Sequence, residues 1–386
     1  MENKFIFIIF SLIIWCSFIA KGNENVEFSV ITIGPYENEL YSAFGHSGIR
    51  YRDKINNIDL FYNYGIFDFD QPNFYLNFLN GRLLYMVGKY NYQTVESFYI
   101  NQKRYIKEQV LNLNDSEKII LYNYLEQNIK PENRTYLYNY VYNNCATKIR
   151  DILITVYGER ITFKETNDNV SIRDLMDKYL QNNKWGDLGI DICLGAEIDK
   201  KASYSEEMFL PEYLFNNLED SFLDGNINLI SKTNIINSNS PVINKNIFQP
   251  KYIFLLFLII CIFLSFRQIK YSLLYIYFDF TVFLTSGTVG TLLIYLWLFT
   301  DHLSSFNYNL IWALPFNLIF SFLLIFNFKS TLTRWYIIIN SAVLFSLLIL
   351  WNFLPQNLND ILILFVLGIL LRMFSNYIYL IRSASR

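Results

Sequence analysis

Hydrophobic residues form long unbroken runs after Gln249, whereas before that point they mark short strands and helices among polar residues. Five apolar runs cover residues 252–266, 272–299, 308–327, 334–354 and 360–381. A helix of about 20 residues crosses the hydrocarbon core of a bilayer, and most of these runs reach that length. The pattern predicts an all-α bundle of five transmembrane helices over residues 250–386.

The region before the apolar runs shows both periodicities of a mixed domain. Residues 26–35 and the two runs that flank the turn Lys54–Asn57 predict strands, of which the last two form a hairpin. Residues 116–127 and the segment between Asn144 and Gly158 have apolar positions at helical spacing. The fold class expected for this region is therefore α+β.

The N-terminal residues indicate that the mixed domain is exported. Lys4 precedes an apolar run that is followed by Ser17-Phe18-Ile19-Ala20, which is the pattern of a secretory signal. Phe18 stands where cleavage prefers a small residue, so residues 1–21 are either a signal peptide or an uncleaved N-terminal anchor. We expect the exported domain to span residues 22–233 and an Asn- and Ser-rich linker to span residues 234–249.

The charges that flank the apolar runs predict the orientation of the bundle. Basic residues cluster on one side, whereas Asp301-His302 and residues 357–360 lie on the other. Basic loops remain in the cytoplasm, so the domain and His302 face the opposite compartment. We expect a multi-pass protein of the inner membrane with a periplasmic catalytic domain. A net charge of −2 gives no basic surface for nucleic acid, and we expect no such partner.

Candidate chemistry centres on one histidine and one cysteine. The chain has two histidines, and His46 lies in the exported domain. Cys145 opens a predicted helix after Asn144, a residue type that caps helices. A helix start and a neighbouring imidazole both lower the pKa of a thiol, and free backbone N–H groups near Ala146 can hold an oxyanion. These residues predict a Cys145 nucleophile with His46 as its base.

A third group has to orient the imidazole. Asn63 lies on the second strand of the predicted hairpin, nearly opposite His46 and on the same face. A register slip of one residue would turn Asn63 to the other face.

Other uses of these residues remain open from the sequence. Ser47 lies in a Gly-His-Ser-Gly run that resembles a nucleophile elbow, and Cys145 and Cys193 could form a disulfide in an oxidising compartment. We expect no metal, because one histidine and two distant cysteines do not make a zinc site, and no cofactor motif is present. The alternating tyrosines at 136, 138 and 140 form either an ordinary strand or one wall of an acyl groove.

A polar and aromatic cluster follows the second apolar run. Its members are Asp301, His302, Asn309 and Trp312. Such groups at a membrane boundary are either structural or hold a lipid head group or an acceptor terminus.

Several of these segments resemble a known family. The resemblance is carried by residues 42–47, 62–65, 72–76, 131–134 and 144–151, and more weakly by 301–302 and 309–313. Together they resemble the Lnb family, the lipoprotein N-acyltransferases of diderm bacteria. A histidine that precedes a helix-opening cysteine is also similar to the circularly permuted, papain-like NlpC superfamily, which includes lecithin:retinol acyltransferase.

The resemblance implies a permuted papain-like domain in which Cys145 is the nucleophile and His46 the base. It further implies a phospholipid as acyl donor and a diacylglyceryl lipoprotein as acceptor, both reached at the membrane. We expect an acyltransferase that works through a Cys145 thioester. A membrane-tethered cysteine hydrolase of envelope peptides is the alternative enzyme, and an envelope scaffold is the alternative outside enzymology.

Overall fold

The computed structural model describes residues 25–36, 39–164, 169–239 and 248–384. The signal peptide or anchor expected at residues 1–21 lies outside the described residues. An N-terminal α+β domain precedes a C-terminal group of long apolar helices, as the hydrophobic pattern predicts.

The α+β domain is built on a seven-stranded antiparallel sheet with the strand order β10-β5-β1-β2-β3-β4-β6, and a small sheet pairs β7, β8 and β9. The strands are β1 (Val26–Ile33), β2 (His46–Asp53), β3 (Ile58–Phe67), β4 (Leu84–Asn91), β5 (Ile106–Leu111), β6 (Thr135–Leu137), β7 (Ile161–Thr162), β8 (Phe222–Leu223), β9 (Ile227–Asn228) and β10 (Ile230–Asn237). Because β10 continues to Asn237, residues 234–237 belong to the sheet and not to the linker expected from residue 234.

The predicted hairpin is present as β2 and β3. Asp53 closes its turn, since one carboxylate oxygen accepts hydrogen bonds from the N–H groups of Ile55 and Asn56 at 3.0 and 3.1 Å. Asn57 takes the left-handed conformation that the turn requires. The hairpin therefore has its turn at one end and the start of β2, at His46, at the other.

Helices cover the sheet and continue towards the membrane. Within the α+β domain they are α1 (Phe74–Leu79), α2 (Tyr92–Asn101), α3 (Asp115–Asn128), α4 (Cys145–Tyr157), α5 (Ile172–Leu180), α6 (Lys184–Cys193), α7 (Tyr204–Glu207) and α8 (Pro211–Glu219). The apolar face predicted for α4 is buried, because Ile149, Ile152 and Leu153 pack into the main core with Ile49 and Tyr62 of the hairpin. This packing holds the start of α4 against β2 and β3.

Five segments are long and apolar enough to cross a membrane, which confirms the predicted bundle. They contain α9 (Pro250–Tyr271), α10 (Ile276–Phe299), α11 (Phe316–Phe326), α12 (Thr331–Leu350) and α13 (Leu362–Ala384). The third span begins with a 3₁₀ turn, Tyr308–Ile311, ahead of α11.

A buried ionic group joins three of these helices. Arg372 on α13 donates from Nε to Asp279 of α10 at 2.6 Å and from Nη2 to Gln268 of α9 at 2.7 Å. Asn376 donates to the second carboxylate oxygen of Asp279 at 2.8 Å. A charged side chain inside a bilayer needs partners of this kind, and the network therefore holds α9, α10 and α13 together.

The outer loops of the bundle bind the α+β domain directly. Asn309 donates to the carbonyl of Asp191 at 2.9 Å, and Gln356 donates to the carbonyl of Leu194 at 2.8 Å. Asn359 reaches the carboxylate of Asp191 at 2.8 Å. These contacts fix the domain at one height above the spans.

Candidate active site

Asn144 and Cys145 begin helix α4 with a reciprocal cap. The side chain oxygen of Asn144 accepts from the N–H groups of Ala146 and Thr147 at 2.9 and 3.0 Å, and Thr147 Oγ1 accepts from the Asn144 N–H at 2.8 Å. The amide of Asn144 also donates to the carbonyl of Phe209 at 2.9 Å. The predicted cap is thus present, and it places Cys145 in the first turn, where backbone N–H groups concentrate partial positive charge.

His46 and Asn63 meet at the open end of the hairpin. Asn63 is the register partner of Gly48, two residues after His46, so both side chains emerge on the same face. Asn63 Oδ1 lies 2.7 Å from His46 Nε2. An amide oxygen only accepts, so Nε2 carries the ring proton and Nδ1 keeps its lone pair.

Gly65 brings the cysteine and the histidine together. It lies at an irregularity in the β3–β4 ladder and has φ +100°, a conformation that favours glycine. A Cβ placed on Gly65 would lie 3.8 Å from both Cys145 Cβ and His46 Cε1. Cys145, His46 and Asn63 therefore form one constellation around the half-buried backbone at Gly65.

The resting charge state of the pair differs from the sequence-based expectation. Burial raises the pKa of the Cys145 thiol above its usual value and outweighs the backbone N–H groups of Ser47, Ala146 and Cys145 itself, which lower it. Burial lowers the pKa of His46 to about 4, against the hydrogen bond to Asn63. Burial therefore favours a neutral thiol and a neutral imidazole, and it opposes the lowering of the thiol pKa that the helix start predicts.

Arg104 is a buried cation beside this pair, and no sequence pattern marks it. It is 3% exposed, donates from Nε to the Gly34 carbonyl at 2.6 Å, and has no hydrogen-bond partner at Nη2 among the described residues. Gly34 follows Ile33, whose register partner is His46. The positive charge of Arg104 lowers the pKa of both Cys145 and His46.

The tyrosines predicted to line a strand or a groove occupy the wall next to Cys145. The strand β6 contains only Tyr136 of the three. Tyr138 stacks on Tyr85 with 3.9 Å between ring centroids, and burial followed by the nearby Cys145 raises the pKa of Tyr85 to about 12. Tyr140 instead accepts a hydrogen bond from the Leu303 N–H at 3.2 Å.

Two of the alternative uses do not agree with the structure. Cys145 and Cys193 are both free thiols, so the disulfide is not formed. Ser47 is fully buried, and because side chains alternate along a strand it points to the face opposite His46. The serine-nucleophile alternative therefore lacks its base.

One acidic group among the described residues is close enough to share a cation. Carboxylate oxygens of Asp177, Asp187 and Asp191 lie within 4.8 Å of one another. Asp191 is already bonded to Arg173 at 2.6 Å and to Asn359. This group lies on α5 and α6, apart from the elements that carry Cys145 and His46.

The four residues proposed for lipid or acceptor contact separate into two pairs. Asn309 and Trp312 are buried and bond to each other at 2.9 Å, so they support the interface and cannot contact a lipid from this position. Asp301 is exposed and pairs with Arg82 at 2.8 Å, while His302 Nε2 lies 3.1 Å from the Phe78 carbonyl. Only Asp301 and His302 stay candidates for such a contact.

Comparison with known proteins assigns both halves of the chain to one family. The Lnb N-terminal periplasmic domain matches residues 23–178, and the Lnb transmembrane domain matches residues 242–384. No curated protein and no solved structure is significantly similar to the chain.

Proposed function

The chain belongs to the Lnb family, and on that premise we propose that it is a lipoprotein N-acyltransferase of the inner membrane. It moves a fatty acyl group from a membrane phospholipid to the N-terminal amine of a diacylglyceryl-cysteine lipoprotein. The observation that carries the proposal is the constellation of Cys145, His46 and Asn63 in a domain that binds directly to the group of five apolar helices.

The first half-reaction forms a thioester. His46 Nδ1 takes the thiol proton as the sulfur of Cys145 attacks the ester carbonyl of the donor. The carbon–oxygen bond to the glycerol then breaks, and His46 returns the proton to the departing oxygen. A lysophospholipid leaves, and the acyl group stays on Cys145.

The second half-reaction transfers the acyl group to nitrogen. The amine of the lipoprotein attacks the thioester, His46 accepts a proton from the nitrogen, and the carbon–sulfur bond breaks. The sulfur of Cys145 recovers the proton from His46, so the resting neutral pair is restored. Asn63 keeps Nε2 protonated throughout and thereby leaves Nδ1 available for each transfer.

Negative charge on the carbonyl oxygen needs hydrogen-bond donors in both steps. The backbone N–H groups of Ser47, Ala146 and Cys145 all lower the pKa of the thiol and are the candidate donors. The Ala146 N–H, expected from the sequence to take this role, also donates to the Asn144 cap at 2.9 Å.

The fixed position of the domain supports a donor and an acceptor that are both lipids. The contacts of Asn309, Gln356 and Asn359 hold the domain against the bundle. A peptide hydrolase of the envelope does not require such attachment.

The test uses a reporter lipoprotein in a strain that lacks N-acylation. Wild-type protein should add one fatty acyl mass to the N-terminal peptide of the reporter, and Cys145→Ala should add none. Cys193→Ala is the matched control, because Cys193 is also a half-buried free thiol and should leave the modification intact. An unmodified amine with folded, membrane-inserted wild type contradicts the proposal.

A further inference from the structure

An exposed group of large apolar side chains lies on helix α1 and the loop before it. Phe69, Tyr75, Leu76 and Phe78 are between 54% and 81% exposed, and all lie on α1 or the loop that leads to it. We name these four residues the α1 patch. Water-exposed apolar groups of this size mark a surface that binds another apolar surface.

The α1 patch lies at the height of the outer membrane boundary. The residues that follow α1 bind the outer end of α10: the Asn80 carbonyl accepts from Asp301 N–H at 2.9 Å, and its side chain oxygen accepts from Tyr295 at 2.6 Å. Arg82 pairs with Asp301 at 2.8 Å. Since α10 is a membrane span, α1 is held where the span leaves the hydrocarbon.

Aromatic contacts run from the α1 patch to the neighbourhood of Cys145. Tyr75 contacts Phe74 with 5.4 Å between ring centroids, Phe74 contacts Phe67 at 6.3 Å, and Phe67 contacts Tyr85 at 5.1 Å. Tyr85 stacks on Tyr138 and is the register partner of Tyr136, and Tyr136 and Cys145 both pack against the main core. An aromatic wall thus runs from the exposed patch towards the nucleophile.

We propose that the α1 patch enters the outer leaflet of the membrane that holds the protein, and that the aromatic wall behind it guides a lipid acyl chain to Cys145. Interfacial tyrosine and phenylalanine side chains suit this boundary, and the pinning of α1 to α10 supplies its depth. The role of the wall rests on the proposed acyl transfer, whereas insertion of the patch does not.

The hairpin provides a matched control site. Ile55 in the β2–β3 turn is 69% exposed, close to the 66% of Phe69. It lies beyond the far end of the eight-residue strand β2, which places it roughly 25 Å from His46 at about 3.3 Å per residue. A side chain at Ile55 is therefore about as accessible as one at Phe69 and lies at the opposite end of the hairpin from His46.

The first experiment locates the patch without using activity. Benzoylphenylalanine replaces Tyr75 or, in a separate variant, Ile55 in the full-length protein. Each variant is reconstituted into phosphatidylethanolamine–phosphatidylglycerol vesicles and irradiated, and cross-linked adducts are identified by mass spectrometry. Lipid adducts at position 75 and none at position 55 are expected. A cross-link to a second copy of the chain, or equal lipid labelling at both positions, overturns the proposal.

The second experiment tests the connection with the site. The triple variant Phe69→Ser, Tyr75→Ser and Phe78→Ser should slow acylation of Cys145 by bilayer phospholipid at least about ten-fold, because burial of these side chains is lost. The rate of acylation by a water-soluble short-chain ester should be unchanged in the triple variant, and Ile55→Ser should have the wild-type rate with either donor. If the triple variant loses the same share of its rate with both donors, the aromatic wall does not guide the acyl chain. If wild type is not acylated at all but lipid adducts still form at position 75, the proposed function is contradicted. The insertion of the α1 patch into the membrane is then still supported.

Discussion

Asn63 holds His46 in one orientation, with 2.7 Å between Asn63 Oδ1 and His46 Nε2. The bond crosses between two strands of one hairpin, and its geometry follows from the pairing of Gly48 with Asn63. The orientation of the base is thus a property of sheet register, which is rigid, and not of a flexible loop.

Replacement of Asn63 by alanine should release the imidazole and allow the wrong tautomer. General base catalysis contributes about 10²–10⁴-fold, so we expect acylation of Cys145 to slow at least ten-fold. The rate is measured by mass spectrometry after mixing with donor vesicles. Asn101→Ala, which removes an exposed asparagine at the end of α2, should have the wild-type rate, and a wild-type rate in Asn63→Ala would show that the bond does not orient the base.

Gly65→Ala should lower the stability of the fold and, as a distinct effect, block the reaction at Cys145. The φ of +100° costs an alanine about 1–3 kcal/mol, and the new Cβ would lie 3.8 Å from both Cys145 and His46, where the donor carbonyl has to approach. Gly225→Ala is the control, because Gly225 has φ +77° with nothing within 4 Å of an added Cβ. Melting temperatures should fall in both variants, but acylation should be lost only in Gly65→Ala.

The stability of the protein should fall in acid partly through His46. Its pKa is about 4 in the folded chain, below the ordinary value of 6.5, so between these pH values the unfolded chain binds a proton that the folded chain does not. The contribution of neutral His46 to the free energy of unfolding is therefore at its full value above pH 6.5. It is lost as the pH falls towards 4, by up to about 1.4 kcal/mol per pH unit.

Thermal unfolding of wild type and His46→Gln in detergent, measured from pH 7 to pH 4.5, checks this. The acid-induced loss should be smaller in the variant. Identical pH dependence in the two proteins would contradict the low pKa of His46.

Removal of the Arg104 charge should make Cys145 less acidic. Arg104 favours the thiolate electrostatically, so Arg104→Met should raise the pKa of the thiol further and slow alkylation by iodoacetamide at every pH below it. Arg104→Lys keeps the charge and should restore most of the rate. If the pH profile of alkylation is the same in wild type and Arg104→Met, the charge does not act on Cys145.

Much of this architecture follows from local patterns. The hairpin, helix α4 with its Asn144 cap, and the five spans each rest on periodicity or turn chemistry, and the face shared by His46 and Asn63 follows from strand alternation. Gly65 and Arg104 could not be singled out in this way. A positive φ next to Cys145, and a guanidinium buried beside His46, depend on contacts between segments far apart in sequence.

Burial also explains where two expectations differ from the structure. The helix start at Cys145 predicts a lowered pKa, but loss of solvent opposes it and depends on the whole fold. Asn309 and Trp312 carry the composition of a head-group site, yet Asn309 is buried against the α+β domain and Trp312 within the core of the bundle. Polar residues at a membrane boundary are ambiguous until the element above them is known.

The proposed transfer depends on a fatty acyl thioester on Cys145. Full-length protein reconstituted with phospholipid is digested. The mass of the peptide that contains Cys145 is measured by mass spectrometry before and after treatment with neutral hydroxylamine. We predict one fatty acyl mass that hydroxylamine removes and that Cys193→Ala retains. Acyl transfer through Cys145 is contradicted if the reporter lipoprotein becomes N-acylated while Cys145 never carries an acyl group. It is also contradicted if Cys145→Ala still N-acylates the reporter.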